Sequence, residues 1–222
     1  MNKHIVKILN TSFITHNVKS FIVERPADYH FIPGQATDVA INSPLLHNEL
    51  RPFTIVSGVE DDFLEFIIKI YKGHDGITEK MLDTKPGDEW IVHEVFGTLP
   101  FKGPGIFLAG GTGITPFLAV FRELQKLNRL QGNSLLLANK SKDDIICEHE
   151  LATMLGNKFI NVLESDAETN GGEKHIGISQ IQALINAKTE FFYVCGPDPF
   201  MTHCNKLLQQ LSISSDKIVI ES

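Results

Sequence analysis

The sequence is short of cysteine, of long apolar runs and of positive charge, and each shortage excludes a class of protein. Its three cysteines, Cys147, Cys195 and Cys204, are too few and too far apart for a zinc ribbon or a four-thiolate iron–sulfur cluster. An odd number without framework spacing fits a reducing compartment, so a cytoplasmic location is expected. The nine histidines are scattered and none forms H-E-x-x-H, so no protein-bound metal is expected. No apolar run approaches the roughly 20 residues that span a bilayer. The first twenty residues hold no uninterrupted apolar core and no clear small-residue cleavage site, so no secretory signal is expected. Twenty basic residues face 27 acidic ones, a net charge of −7, which argues against general nucleic-acid binding. Internal repeats and low-complexity tracts are lacking too.

What is present is core material. The 222 residues are 42% hydrophobic and 21% charged, ordinary for one large globular domain or two small ones. Two rhythms divide them. Up to about residue 98 the chain reads as short β segments, at 18–23, 36–41, 53–57, 63–70 and 89–92, rich in β-branched and aromatic residues. Turn signals separate them, among them Pro33-Gly34, Asn42-Ser43-Pro44, Asp61-Asp62 and Pro86-Gly87. One short helix is expected near 78–82. This is the pattern of an antiparallel barrel or sandwich. The prolines and glycines of 99–105 resist regular structure and mark a domain joint. Beyond it strands and helices alternate: strands at 106–109, 135–138, 159–163, 191–195 and 218–220, with helical spacing between them. Alternation of this kind implies a parallel sheet with helices on both faces, whose ligands sit at the carboxyl ends of the strands. The expected domains are therefore 1–100 and 101–222.

Four motifs lie at strand ends. In "AGGTGITPF" (109–117) a strand runs into Gly110, Gly111 and Gly113, with Thr115 as a helix cap and Pro116 in the first helical turn. Such a turn either offers free amides to a phosphate or is only a tight turn. In "YVCGPDPFM" (193–201) Cys195 ends a strand, Gly196 and Pro197 turn the chain, and Pro199 begins a helix. Taken alone, Cys195 reads as a buried core thiol. In "RPFTIVS" (51–57) Arg51 offers a fixed cation suited to phosphate, and Phe53 and Thr54 point to opposite sides of a strand. In "HDGITEKM" (74–81) Gly76 precedes a helix start at which Thr78 offers a hydroxyl.

In this order, RPFT, IIKIY, GITEKM, GGTGITP, ANKSKDDI and CGPDPFM resemble the ferredoxin–NADP reductase-like flavoprotein superfamily along nearly the whole chain. Within it they are most similar to the NADH–cytochrome b5 reductase and flavodoxin reductase-like branches. The resemblance implies an N-terminal Greek-key β-barrel that binds FAD and a C-terminal α/β domain that binds NADH or NADPH. Arg51 and Pro52 then open the flavin strand, with Arg51 at the pyrophosphate. Phe53 packs beside the isoalloxazine, where the family usually has tyrosine, and Thr54 lies near flavin N5. Ile68, Lys69 and Tyr71 line the cofactor, and Gly76, Ile77 and Thr78 form the loop at its phosphates. Gly111, Thr112, Gly113 and Pro116 match the nicotinamide-nucleotide loop, with Thr112 between the two cofactors. Cys195, Gly196, Pro197 and Met201 match the nicotinamide-side motif. Glu221 matches a glutamate near the active centre, and Ser222 stands where many relatives have an aromatic residue or further chain. Asp144 matches an acidic position of the NADH-using branch; a carboxylate there repels a 2′-phosphate and accepts bonds from a ribose, which favours NADH. Lys140 and Lys142 keep NADPH open.

The resemblance thus implies a reductase in which Thr54, Cys195 and Glu221 are catalytic. Hydride passes from NAD(P)H to FAD, and electrons pass to a separate ferredoxin, flavodoxin, haem protein or small-molecule acceptor. An acidic redox partner would need a local basic patch. The alternative is a non-catalytic flavin- or nucleotide-binding subunit, against which the Cys195 and Glu221 positions speak.

Overall fold

The computed structural model describes residues 3–97, 99–166 and 175–220. The chain divides into two compact units, Met1–Thr98 and Leu99–Ser222. Among the described residues no helix is long and apolar enough to cross a membrane.

The first unit is an antiparallel Greek-key barrel. Its strands are β1 (Lys3–Phe13), β2 (Val18–Glu24), β3 (Ala36–Ile41), β4 (Arg51–Thr54), β5 (Phe63–Lys69) and β6 (Glu89–Phe96), in the order β4-β3-β6-β1-β2-β5. Between β5 and β6 lies one short helix, α1 (Ile77–Met81). Inward-pointing Val6, Phe21, Val39, Phe66 and Trp90 fill the interior. Trp90 is wholly buried against Phe21, yet its indole Nε1 has no hydrogen-bond partner. An orphan donor of this kind costs about 1–3 kcal/mol, which the aromatic packing offsets.

Two strands differ from the sequence reading. The periodicity shows no strand at β1, because its register slips between Ile8 and Asn10 and Ile5, Leu9 and Phe13 face solvent. A bulge destroys the period-two signal while keeping the pairing. The strand expected at 53–57 is split. Residues 51–54 pair with β3, and then Ile55 bridges to Phe66 and Val56 N donates to Glu65 O at 2.9 Å. This change of partner closes the barrel.

The second unit is a five-stranded parallel sheet. β7 (Gly105–Gly110), β8 (Ser134–Asn139), β9 (Phe159–Leu163), β10 (Phe191–Cys195) and β11 (Ile218–Ile220) lie in the order β11-β10-β7-β8-β9. β7 is buried at every position, as a central parallel strand must be. One face carries α4 (Ile178–Leu184) and α5 (Asp198–Gln210), through Ile181, Leu184, Cys204 and Leu208. The other carries α2 (Thr115–Lys126), whose Phe117 and Phe121 meet Phe107 edge to face, and α3 (Glu148–Leu155), tied to α2 by the Arg122–Glu150 ion pair. The segment 99–105 is not a slack connector. Lys102 N and Gly103 N donate to the buried Tyr193 hydroxyl, which donates to Gly103 O at 2.7 Å.

One helix cap also differs from expectation. Thr115 does not cap α2: the cap position is Ile114, and the Thr115 hydroxyl turns back to Thr112 O at 3.0 Å. The reason is a 3-10 turn over Gly111–Ile114 that enters the helix without an extended cap residue. α4 is capped by Gly177, whose N–H donates to Gln180 Oε1.

Candidate functional site

Strand order decides where the second unit can bind a ligand. The chain lays β8 and β9 on one side of β7, then returns to place β10 and β11 on the other. The carboxyl ends of β7 and β10 therefore flank the point where the order reverses, and ligands of open α/β sheets bind at such a point. The GGTG turn and the CGP turn both sit there, since Ala109 pairs with Cys195.

The contact between the two turns is backbone on backbone. A Cβ on Gly113 would stand 2.3 Å from Cys195 O and 2.7 Å from Gly196 Cα. One on Gly110 would meet the Phe200 ring at 2.8 Å, and one on Gly196 the same ring at 2.7 Å. Gly111 differs: its space is open, but its φ of +53° is one that L side chains rarely adopt. Two of the glycines in the loop thus serve close packing, and one serves the turn. Thr112 and Gly111 remain half exposed, while Gly113 and Pro116 are buried. Cys195 is 7% exposed at the end of β10. Gly196 is half-buried, Pro197 is exposed, and Met201 leans on the core beside Phe200. Cys204 is a different thiol, wholly enclosed, and burial pushes it up to about 12. Glu221, with Ser222, lies outside the described residues.

At the next strand end, Asp144 Oδ2 accepts from both Ser141 N (3.1 Å) and Ser141 Oγ (2.8 Å). The carboxylate thus closes its own loop, which the sequence alone did not reveal. Just before it, Asn139 is 7% exposed and its Nδ2 has no partner. Asn161 pairs with Leu137 and lies on the same sheet face; its Oδ1 is likewise buried without a partner. A buried donor and acceptor in this state mark a polar spot beside the Lys140–Asp144 turn.

In the barrel the candidate residues follow two strand ends. Arg51 and Pro52 are exposed at the start of β4, and the only hydrogen bond described for the guanidinium is from Nη1 to Leu50 O at 2.7 Å. Phe53 rests partly on the barrel core and Thr54 is half-buried. Lys69 places its ammonium 5.9 Å over the exposed Tyr71 ring, which meets His74 edge-on. Ile68 and Ile77 are core side chains, 1% and 4% exposed, so what each offers at the surface is chiefly backbone.

The loop before α1 is held from within. Glu79 accepts from Gly73 N and Asp75 N, each at 2.8 Å, and these amides hold its carboxyl below the usual range. Asp75, at φ +50°, pairs with Lys80. Gly76 has no atom within 4 Å of where a Cβ would stand, and no side chain caps the helix it precedes. Sequence reasoning also missed Phe200, the ring that locks Gly110 and Gly196. Its signal was present in CGPDPFM, where an aromatic follows the turn by one helical step.

Two family models match the chain in succession: a FAD-binding domain over residues 3–104 and an oxidoreductase NAD-binding domain over 107–206. The chain is 28% identical over 258 aligned residues to NADH-cytochrome b5 reductase 2 of Rattus norvegicus, covering 97% of this chain and 93% of that one. A ferredoxin NADP+ reductase of Neisseria gonorrhoeae, solved with FAD and NADP, superposes with a TM-score of 0.79 at 18% identity, over 99% of this chain and 98% of that one. The CS-b5R domains of human Ncb5or, in an NAD+ form, give 0.82 at 24%, over 99% and 69%.

Proposed function

We propose, for a chain that belongs to the ferredoxin–NADP reductase-like superfamily, a division of labour between its two units. The chain is an oxidoreductase that moves electrons from NAD(P)H to FAD and on to a partner. FAD, when bound, supplies the hydride-accepting chemistry and the release of electrons to the acceptor.

The parts of the division are these. Arg51, Phe53, Thr54, Tyr71, Gly76 and Thr78 hold the flavin, with Pro52, Lys69 and the Ile68 and Ile77 backbone beside them. Arg51 suits this task because its guanidinium is exposed at the barrel rim, and Gly76 because it leaves room for a close approach. Gly111, Thr112, Gly113, Pro116, Cys195, Gly196, Pro197 and Met201 hold the nucleotide. The observation that supports this most is the backbone seam between Gly113 and Cys195 at the point where the strand order reverses. Cys195 positions the nicotinamide by contact and is not a nucleophile. Thr54 hydrogen-bonds near flavin N5. Glu221 serves the proton side of the reaction.

The preferred nucleotide is NADH. A 2′-phosphate needs hydroxyl and amide donors, and Ser141 already gives both of its donors to Asp144. The acceptor is a separate one-electron haem protein, as the name of the rat relative suggests, in preference to a ferredoxin or flavodoxin. An odd count of three cysteines without framework spacing fits the reducing cytoplasm.

Anaerobic mixing tests the reading. FAD-loaded protein should bleach with NADH faster than with NADPH, and reoxidise faster with a b-type cytochrome than with ferredoxin or flavodoxin. Protein that stays colourless, with a spectrum unchanged by FAD and NADH, contradicts it.

A further inference from the structure

One charged side chain in the barrel is buried, fully engaged and outside every motif above. Lys19 lies on β2 and is 7% exposed. Its Nζ donates to Leu82 O at 2.9 Å and Thr84 O at 3.3 Å. The ammonium also lies 5.1 Å from the centre of the Phe21 ring and 5.8 Å from that of Phe13. Burial pulls the Lys19 ammonium below its usual value, and the neighbouring Asp83 opposes that pull. A leucine or methionine would fill this space without desolvating a charge, so the space alone does not explain a lysine.

Its two acceptors indicate what it does. Leu82 and Thr84 follow directly on α1, and α1 continues the segment that carries Tyr71, Gly76 and Thr78. A five-residue helix cannot hold itself in place. On its inner side, Ile77 and Met81 are sunk in the barrel core. On its leading side, Glu79 ties down Gly73 and Asp75. On its trailing side, Lys19 takes the carbonyls of Leu82 and Thr84, and the chain next reaches a strand at Gly87, whose N–H donates to Ile8 O at 2.9 Å. The same residue pairs through its backbone with Ile68, next to Lys69 on the strand that leads into the segment. Lys19 thus couples the strand entering the segment to the chain leaving it.

We propose that Lys19 is a positioning residue for the flavin phosphates: it fixes the far end of the 71–84 segment against β2, so that Gly76 and Thr78 are held ready for the phosphate chain. This rests on the reading that 76–78 meets those phosphates. Lys19 itself touches no cofactor.

The test compares two ligands, FAD and riboflavin, which share the ring system and ribityl chain; FAD adds the diphosphate and the adenosine it carries. Both are titrated by fluorescence against apoprotein of the wild type, Lys19→Met and Lys19→Arg. In Lys19→Met the FAD dissociation constant should rise about tenfold while that for riboflavin stays put, and Lys19→Arg should recover most of the loss. With FAD saturating, reduction by NADH should run at the wild-type rate. An unchanged FAD-to-riboflavin ratio overturns the inference, and so does an equal loss for both ligands, which marks a general structural role. If Lys19→Met does not fold, Lys19→Gln, whose amide is neutral and carries two N–H donors, is read by the same ratio. A wild-type protein that binds FAD no better than riboflavin overturns the phosphate reading and the inference with it. A wild-type preference that survives in Lys19→Met overturns the inference alone.

Discussion

The two units hold their candidate residues by opposite means. In the α/β unit the site is a seam of backbone: Gly113 lies against Cys195 and Gly196, and the Phe200 ring fills the space that Gly110 and Gly196 leave. In the barrel the corresponding segments hang on side chains. Glu79 holds the 73–75 loop, Lys19 holds the chain after α1, and Arg25 gathers the carbonyls of Tyr29, Val59 and Asp61. A seam of backbone tolerates no added atom. A frame of charged side chains tolerates small changes at the ligand and fails when a clamp is removed. The two sites should therefore break differently.

The largest effect is expected from paired glycine substitutions. Gly113→Ala places a Cβ 2.3 Å from a carbonyl oxygen, and backbone on both sides must move. Such overpacking should cost about 3 kcal/mol or more and abolish reduction by NADH. Gly76→Ala meets no atom within 4 Å and keeps an allowed backbone, so the fold should change by less than about 1 kcal/mol. Thermal unfolding of both variants checks this. Similar losses in the two would dissolve the contrast.

Each unit also buries one phenol, and both are raised above the usual value, chiefly by burial: Tyr29, which donates to His93 O, and Tyr193. A raised value means that the folded state keeps a proton the unfolded chain loses. Stability should then fall as pH rises past about 10, the unfolded phenol value. Tyr193→Phe strands Lys102 N, Gly103 N and Gly103 O, at about 1–3 kcal/mol, and removes that pH dependence from the α/β unit alone. Denaturant midpoints at pH 8 and pH 11 would show it.

A smaller change concerns nucleotide choice. Asp144→Ala releases the Ser141 hydroxyl and amide. The preference for NADH over NADPH, as a ratio of kcat/KM, should shrink about fivefold. An unchanged ratio would leave Asp144 a loop fastener and nothing more.

Legibility in the sequence follows the same division. The parallel strands stood out because buried runs such as GIFLAG need no periodicity, and four motifs found their strand ends in the right order. The bulged β1 was invisible, and β4 was misplaced, since a change of partner leaves no mark in composition. For the site, residue types were readable but directions were not. Ile68 and Ile77 lie within the stretches that the motifs named and point into the core. Gly110 and Gly113 were read as free amides or a tight turn, whereas each has a close neighbour that only the fold brings there: the Phe200 ring for Gly110, the Cys195–Gly196 backbone for Gly113. Lys19 carries no motif and Glu79 lies in one that does not show its role, because a clamp is defined by its hydrogen-bond partners, which here are main-chain groups.

The division of labour is tested most directly by Cys195→Ala, a buried side chain at the seam whose loss adds no atom. Flavin occupancy of the purified protein and its anaerobic rate of reduction by NADH are measured together. The account predicts wild-type occupancy with reduction slowed about tenfold. An unchanged rate, or a loss of flavin in place of a loss of rate, would contradict it.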